Sequence, residues 1–166
     1  RDSTGTNGMF VPASWDNRHL ISTTIGYKLG RSWELGVKFR YQGAAPFTPY
    51  DMEQSQANFL TLGTGIFNYQ VVNAMRLPAF HAGDIRLDKK WNYKHVTLDV
   101  FLDITNFYGA KNTGVANYTF KRTEDNKAFV TTDGLPIQAN GKNAIPVLLE
   151  NIDQTVLPTI GFIVEF

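Results

Sequence analysis

The segment Thr159-Ile160-Gly161-Phe162-Ile163-Val164-Glu165-Phe166 carries an apolar residue at every second position. The apolar row consists of Ile160, Phe162, Val164 and Phe166. Ile163 is the one apolar residue that falls out of phase. Because the side chains of a β-strand point alternately to two faces, the segment predicts a strand with one apolar face and one more polar face.

Four earlier segments have the same two-residue period, at residues 20–29, 33–42, about 80–91 and 96–105. Short turns at residues 30–32 and 92–95 join them in pairs. Pairing Leu29 with Trp33, and Trp91 with Val96, keeps the apolar rows of each hairpin on one face. The sequence therefore predicts two hairpins and one further strand, which makes five strands in all.

Long polar segments separate these strands. Residues 1–18 predict a loop, and residues 43–79 predict a long loop with a short helix near 51–58. Residues 106–154 predict a second long loop, in which 115–122 pairs with 128–132. Prolines are expected to interrupt any regular continuation of this second loop. They are Pro136, Pro146 and Pro158.

The order of connections is short turn, long loop, short turn, long loop. Bacterial outer-membrane β-barrels have short periplasmic turns and long extracellular loops. The order therefore favours an all-β fold, an antiparallel transmembrane β-barrel segment of about five spanning strands. In this topology the long loops are extracellular, and the short turns and the C-terminus are periplasmic.

A transmembrane barrel exposes one face of each strand to lipid and the other to the lumen. The predicted lipid-facing residues are Leu35, Val37, Phe39, Leu98, Val100 and Leu102, together with Phe162 and Val164. The predicted lumen-facing residues are Lys38, Arg40, Asp84, Arg86, Asp88, Asp99 and Asp103. The aromatic residues that flank the short turns would form a periplasmic girdle at the membrane interface. They are Tyr27, Trp33, Trp91 and Tyr93.

Composition narrows the class of protein. The 166 residues carry a formal net charge of +1, which argues against an electrostatic nucleic-acid binder. No run of about 18 apolar residues is present, so the sequence predicts no transmembrane helix. Cysteine is absent, which excludes a disulfide framework and a thiolate metal site. Aromatic residues make up 13% of the chain, a content that suits β-structure with interfacial belts.

The residue types that carry catalysis or bind metals show no productive spacing. His19, His81 and His95 have no mutual ligand spacing, and no serine lies in a nucleophile elbow. No glycine-rich loop follows a strand and opens a helix, as a phosphate site requires. We therefore expect no enzymatic activity, no cofactor and no metal.

Two groups of residues have alternative interpretations. Four carboxylates could suggest acid–base catalysis, but their alternation with Arg86 and Lys90 favours a polar lumen. They are Asp84, Asp88, Asp99 and Asp103. Five loop aromatics could stack on a ligand or could pack the loops together. They are Tyr50, Phe59, Phe67, Tyr69 and Tyr118.

Three stretches resemble the late barrel of TonB-dependent receptors from Bacteroidota. They are residues 76–81 followed by 84–91, residues 98–107 followed by 117–120, and residues 158–166. Residues 43–48 also fit. The resemblance covers most of the chain, and the order and spacing of the stretches carry it. The last strand is also similar to the assembly signal of bacterial outer-membrane barrels, with Ile160, Phe162, Val164 and Phe166 as its signal residues.

The resemblance implies a 22-stranded barrel, an N-terminal plug domain and uptake of a scarce nutrient energised through TonB. Five strands leave two open edges that lipid cannot satisfy, so residues 1–166 would be the C-terminal part of such a barrel. Neither the plug nor a TonB box is found in this sequence. The expected partners are outer-membrane lipid, the rest of the barrel and its plug, TonB through that plug and the barrel assembly machinery. Whether a surface lipoprotein covers the loops stays open.

Two alternatives stay open. The first is an outer-membrane barrel without TonB coupling, porin-like or adhesive, and a plug sequence upstream would separate it from a transporter. The second is a soluble β-sandwich binding module, which would stay in solution without detergent. The substrate class also stays open among iron chelates, glycans, peptides and vitamins.

Overall fold

The structure is a computed structural model that describes residues 10–166, and these residues form mostly antiparallel β-sheet with one α-helix. The predicted all-β class is confirmed. Residues 1–9 lie outside the described part, so only the later half of the predicted loop at 1–18 is described. The strands are β1 (Leu20–Leu29), β2 (Trp33–Gln42), β3 (Pro46–Phe47), β4 (Met75–Arg76), β5 (Phe80–Asn92), β6 (Thr97–Thr105), β7 (Asn112–Phe120), β8 (Pro146–Asp153) and β9 (Leu157–Glu165). Helix α1 (Met52–Leu62) and a 3-10 turn (Tyr69–Val71) lie between β3 and β4.

The chain divides into two compact units, which we name the sheet unit and the loop unit. The sheet unit comprises Asn17–Ala44, Pro78–Asn112 and Ile152–Phe166. The loop unit comprises the described residues up to Asp16, with Ala45–Leu77 and Thr113–Asn151. The two segments predicted as long loops thus supply most of one compact unit.

The sheet unit is built on one five-stranded antiparallel sheet with the order β1-β2-β5-β6-β9. These are the five strands predicted from the two-residue period. The sheet is open, because β1 and β9 each pair on one side only within residues 10–166. Each edge strand therefore has a row of backbone groups without a strand partner.

The register confirms one predicted pairing and corrects the other. Leu29 lies opposite Trp33, as predicted. Trp91 lies opposite Leu98, whereas the sequence predicted Val96. Val96 is part of the turn instead, where its carbonyl accepts a hydrogen bond of 2.8 Å from the Tyr93 N–H. The observed partner of Trp91 is two residues away from the predicted one. Because a shift of two residues preserves the alternation of a strand, the apolar rows still share a face.

The connections of the sheet leave from two opposite ends. Gln42 of β2 pairs with Phe80 of β5, so the 43–79 segment starts and finishes at one end of the sheet. Thr105 of β6 pairs with Leu157 of β9, which brings the second long segment to that same end. The two short turns lie at the other end.

The loop unit has regular structure that the sequence predicted only in part. The predicted short helix is α1, which is longer than expected. It begins where the Asp51 carboxylate accepts a 3.0 Å hydrogen bond from the Gln54 N–H. It ends at Gly63, whose φ of 70° is the left-handed conformation that glycine adopts without strain.

The second long segment contains a strand pair that the sequence did not predict. Strand β7 pairs with β8, and β8 begins at Pro146, where an interruption was expected. Proline is compatible with the first residue of a strand, and Pro158 lies close to the start of edge strand β9 for the same reason. The predicted pairing of 115–122 with 128–132 exists locally, as an antiparallel bridge between Arg122 and Phe129.

An aromatic cluster forms the core of the loop unit. Its buried members are Phe59, Tyr118, Phe120 and Ala144, with Tyr50, Phe129 and Ile137 packed against them. The Phe59 and Phe120 rings lie 4.6 Å apart between centroids, a tilted arrangement that is favourable for aromatic pairs. In residues 10–166 no helix combines the length and the apolar character that a membrane-spanning helix needs.

Candidate functional site

The five-stranded sheet has two chemically different faces, which the register defines. One row across the sheet runs through Tyr27, Leu35, Leu87, Leu102 and Ile160. Together with the rows that share its parity, it forms what we name the apolar face. The adjacent row contains Gly26, Gly36, Arg86, Asp103 and Thr159, and belongs to the opposite surface, which we name the charged face.

The predicted lipid-facing residues all lie on the apolar face. They are Leu35, Val37, Phe39, Leu98, Val100 and Leu102, and none of them is buried. At the two edges the exposure is higher, with Ile25 at 62% and Phe162 at 74%. A face of this width left exposed to water would be an aggregation hazard, because it offers contiguous apolar surface along an open strand edge.

The predicted lumen-facing residues share the charged face, where most of them are paired. They are Lys38, Arg40, Asp84, Arg86, Asp88, Asp99 and Asp103. Arg40 contacts both carboxylate oxygens of Asp84, at 3.3 and 3.0 Å. The backbone N–H of Asn106 also donates to Asp84, at 3.1 Å. This set of bonds holds the Asp84 carboxylate in one orientation.

Arg86 forms the second ion pair of the charged face. Its guanidinium contacts Asp88 on the same strand, with the shortest contact at 2.7 Å. The guanidinium carbon also lies 3.9 Å from the centre of the Phe101 ring, a distance typical of a cation–π interaction. Phe101 in turn lies against Gly161, where a Cβ would overlap the ring.

Lys90 links strands β2 and β6 across β5. Its ammonium lies 3.7 Å from a carboxylate oxygen of Glu34 and 3.7 Å from one of Asp99. Asp99 is buried, and its Oδ1 makes no hydrogen bond within the described part of the chain. An open depression of about 270 Å³ lies on this face beside Lys38, Asp84, Arg86 and Asp103. Its lining combines these charged side chains with the apolar residues Val37 and Ile85.

The turn end of the sheet carries the predicted interfacial aromatics. Tyr27 and Tyr93 are each 65% exposed, and Trp33 and Trp91 are 38% and 39% exposed. Lys89 lies between Trp33 of β2 and Val100 of β6, as the single cation in the rows of the apolar face. Its ammonium lies 5.3 Å from the centre of the Trp33 ring and 5.6 Å from that of Trp91, and it donates to the Arg31 carbonyl.

The residues of the predicted assembly signal line one row of the edge strand β9. Ile160, Phe162 and Val164 are exposed and lie opposite Leu102, Val100 and Leu98. Phe166 follows the strand and is fully exposed. The row is thus continuous with the apolar face of the sheet.

The three histidines lie in separate places. His19 and His95 lie outside the strands, and the His81 ring, in β5, makes a 2.9 Å contact to the Tyr108 hydroxyl. Within residues 10–166 no group of three or more histidine and carboxylate side chains could hold a metal ion.

The structure of the loop unit shows that most of the five loop aromatics pack against other residues. Phe59 and Tyr118 are buried in the core, and Tyr50 stacks on Phe67 with centroids 4.8 Å apart. Tyr69 is 68% exposed and only touches Phe67 at its edge. Four of the five aromatics therefore take part in packing of the loops, and Tyr69 is the most exposed of them.

Tyr118 is the one unusual polar group of that core. Its hydroxyl has no hydrogen-bond partner in the described residues, and burial raises the pKa of its phenol.

At the surface of the loop unit, the pKa of Asp133 is lowered because the Leu135 N–H and the Asn143 amide donate to its carboxylate.

Two features of the site were missed from the sequence alone. Phe101 was placed on the polar face without a role, yet it is the aromatic group that Arg86 and Gly161 contact. The signal was present, since a glycine in the strand next to an aromatic residue often marks such close packing. The β7–β8 pair had no comparable signal, because its glycine and asparagine residues obscure the two-residue period.

Comparison with known proteins found no matching family model, no matching curated protein and no matching solved structure.

Proposed function

We propose that this chain forms part of the wall and the outer loops of an outer-membrane β-barrel that takes up a scarce nutrient with energy from TonB. The sheet unit would be the barrel wall, and further strands would pair with β1 and β9 to complete a larger barrel, of 22 strands in the family that the sequence resembles. The loop unit would lie outside the cell. TonB would act through a plug domain held inside the barrel.

The observation that carries this proposal is the distribution of polarity over the five-stranded sheet. On the apolar face no apolar side chain of the five strands is buried, while the charged face contains the ion pairs Arg40–Asp84 and Arg86–Asp88. A water-soluble sheet protein has the reverse arrangement, with its apolar face covered and its charges outside. Lipid is the solvent that favours an exposed apolar face, and a water-filled lumen is the environment that favours the charged one.

The connections support the same interpretation. All long connections leave one end of the sheet and both short turns leave the other, as in bacterial outer-membrane barrels. The long segments pack as a folded unit with its own aromatic core. Such a unit can present a defined binding surface, which a flexible loop cannot do at the same entropic cost.

The soluble β-sandwich is the weaker alternative. A sandwich needs a second sheet of similar size to cover the apolar face. The described residues contain, besides the five-stranded sheet, only two two-stranded sheets. The porin-like and adhesive alternatives use the same wall, so a functional test has to separate them from the transporter.

A test of genetic epistasis with TonB separates the transporter from the porin-like and adhesive alternatives. The gene for this chain is deleted in its host, in cells with active TonB and in cells without it, and growth is measured on single limiting iron chelates, glycans, peptides or vitamins. The proposal predicts a growth defect on one of these nutrients, with no further defect when TonB is already absent. A defect of equal size in both backgrounds would reject TonB coupling and favour a passive channel.

A further inference from the structure

Lys89 is the lysine in the mostly apolar rows of the sheet. Its neighbours across the sheet are Trp33 and Val100, and its own strand continues to Trp91 on the same face. A lysine on a lipid-facing surface is costly at mid-membrane, but its long side chain can carry the charge to the interface. The ammonium does reach the turn, because it donates to the Arg31 carbonyl.

We name the region formed by Arg31, Trp33, Lys89 and Trp91 the Lys89 corner. This corner has N–H donors that are available to bind an anion. An ammonium has three N–H donors, and the structure assigns one of them to the Arg31 carbonyl. The centres of the Trp33 and Trp91 rings lie 5.3 and 5.6 Å from the ammonium, so two apolar rings lie beside it. In the described part of the chain, the Arg31 guanidinium makes no ion pair, and it is exposed in the turn.

The charged side chains of the two short turns all have a positive sign. The two short turns, residues 30–32 and 93–96, contain Arg31, Lys94 and His95 and no acidic residue. The nearest carboxylates in the register, Glu34, Asp88 and Asp99, belong to the charged face, as does Glu165, which lies opposite Thr97 at the turn end. Glu34 is already within 3.7 Å of Lys90 there. The turn end of the apolar face is therefore complementary to a negative group.

We propose that this corner binds the headgroup phosphate of an anionic phospholipid in the leaflet that meets the short turns. Lys89 and Arg31 would hold the phosphate, and Trp33 and Trp91 would contact the glycerol and the upper acyl chains, as amphipathic rings do at membrane interfaces. The site rests on the proposed membrane position of the sheet. It adds a preference for lipid charge, which the apolar face alone does not provide.

Lipid selectivity of the full protein in vesicles tests this site. The protein is reconstituted in phosphatidylcholine vesicles, and electron spin resonance measures the motionally restricted fraction of spin-labelled phosphatidylglycerol and of spin-labelled phosphatidylcholine. One basic group near a membrane surface accounts for about a fivefold preference for the anionic lipid. We expect that preference in the native protein at low salt, and its loss in Lys89→Met.

Two variants keep the test specific. Lys89→Arg retains the charge and the reach, so it should retain the preference. Lys127→Met removes the same charge from the loop unit, where the side chain is 83% exposed, and should leave the preference unchanged. Circular dichroism of each variant checks that the sheet is formed.

The outcomes separate the site from the function on which it rests. Equal preference in the native protein and Lys89→Met would overturn the headgroup site, while restricted phosphatidylcholine would still report an inserted protein. A preference lost equally in Lys127→Met would also overturn it, because net charge would then be the cause. The absence of restricted lipid of either kind would overturn the membrane position itself and the site with it.

Discussion

Phe101 of β6 lies directly opposite Gly161 of β9, and its ring occupies the space that a Cβ at residue 161 would need. Arg86 approaches the same ring, with its guanidinium carbon 3.9 Å from the ring centre. The glycine thus lets an aromatic ring lie flat among the ion pairs of the charged face. This contact joins the edge strand β9 to the centre of the sheet through a side chain as well as through backbone hydrogen bonds.

Gly161→Ala should destabilise the sheet by about 1–3 kcal/mol, because the new methyl group has to displace the Phe101 ring. The measurement is urea unfolding of the protein in phospholipid vesicles. Gly26→Ala is the matched control, since no atom lies within 4 Å of a Cβ at that strand position. Its effect should stay within about 0.5 kcal/mol. Equal losses in the two variants would show that strand glycines matter here for another reason than the ring.

Tyr118→Phe should leave the loop unit as stable or stabilise it by about 1 kcal/mol, because the buried hydroxyl has no partner among the described residues. The pKa of Tyr118 is raised by burial, so the phenol keeps its proton more firmly when folded. Its contribution to stability is therefore complete below the unfolded pKa of about 10 and is lost as the pH rises through the folded value.

Thermal unfolding of the loop unit against pH distinguishes the two proteins. The native protein should lose stability above about pH 10 more steeply than Tyr118→Phe does. Destabilisation of Tyr118→Phe at neutral pH would contradict this account, since it would mean that the hydroxyl makes a stabilising hydrogen bond.

The proposed topology predicts which residues an impermeant thiol reagent can reach on intact cells. The sequence has no cysteine, so each variant carries a single thiol. Glu53→Cys in α1 and Lys127→Cys in the second long segment should label, because both positions are exposed and belong to the loop unit. His95→Cys in a short turn should label only after the outer membrane is opened. Labelling of His95→Cys on intact cells would reverse the topology.

The sheet could be predicted from the sequence because its period has a direct physical cause. Each of the five strands keeps its apolar residues on one face, and a slip of one residue would reverse that face. The parity of the Leu29–Trp33 pairing was therefore fixed by the sequence pattern. The pairing of Trp91 was predicted two residues away from Leu98, because such a shift preserves the faces and only the turn geometry decides it.

The loop unit was less predictable because its stability comes from contacts between distant segments. Phe59 of α1 packs on Tyr118 and Phe120, which lie about sixty residues further along the chain. No hydrophobic periodicity within a single segment predicts such a cluster. The start of α1 at Asp51 is a local signal and was predicted, whereas its extension to Leu62 depends on the burial of Phe59 and Ser55. Lys89 can be recognised in the sequence as a charged residue in an apolar row. Its contacts with Trp33, Trp91 and the Arg31 carbonyl could be identified only from the structure.

The most direct test of the membrane position compares two adjacent residues of β9. Ile160 lies on the apolar face opposite Leu102, and Thr159 lies on the charged face opposite Asp103. Both side chains are exposed in the sheet, and Ile160 is 77% exposed. The measurement is the free energy of unfolding in phospholipid vesicles of Ile160→Arg and Thr159→Arg.

If the apolar face meets lipid, Ile160→Arg should cost about 2–4 kcal/mol, because an arginine near the middle of the bilayer loses its hydration. Thr159→Arg should be tolerated, since the new charge lies opposite Asp103. If the face meets water, an exposed isoleucine can be replaced by arginine with a change of no more than about 0.5 kcal/mol. Equal and small effects of the two substitutions would contradict the account, and a selective loss in Ile160→Arg is the result that it predicts.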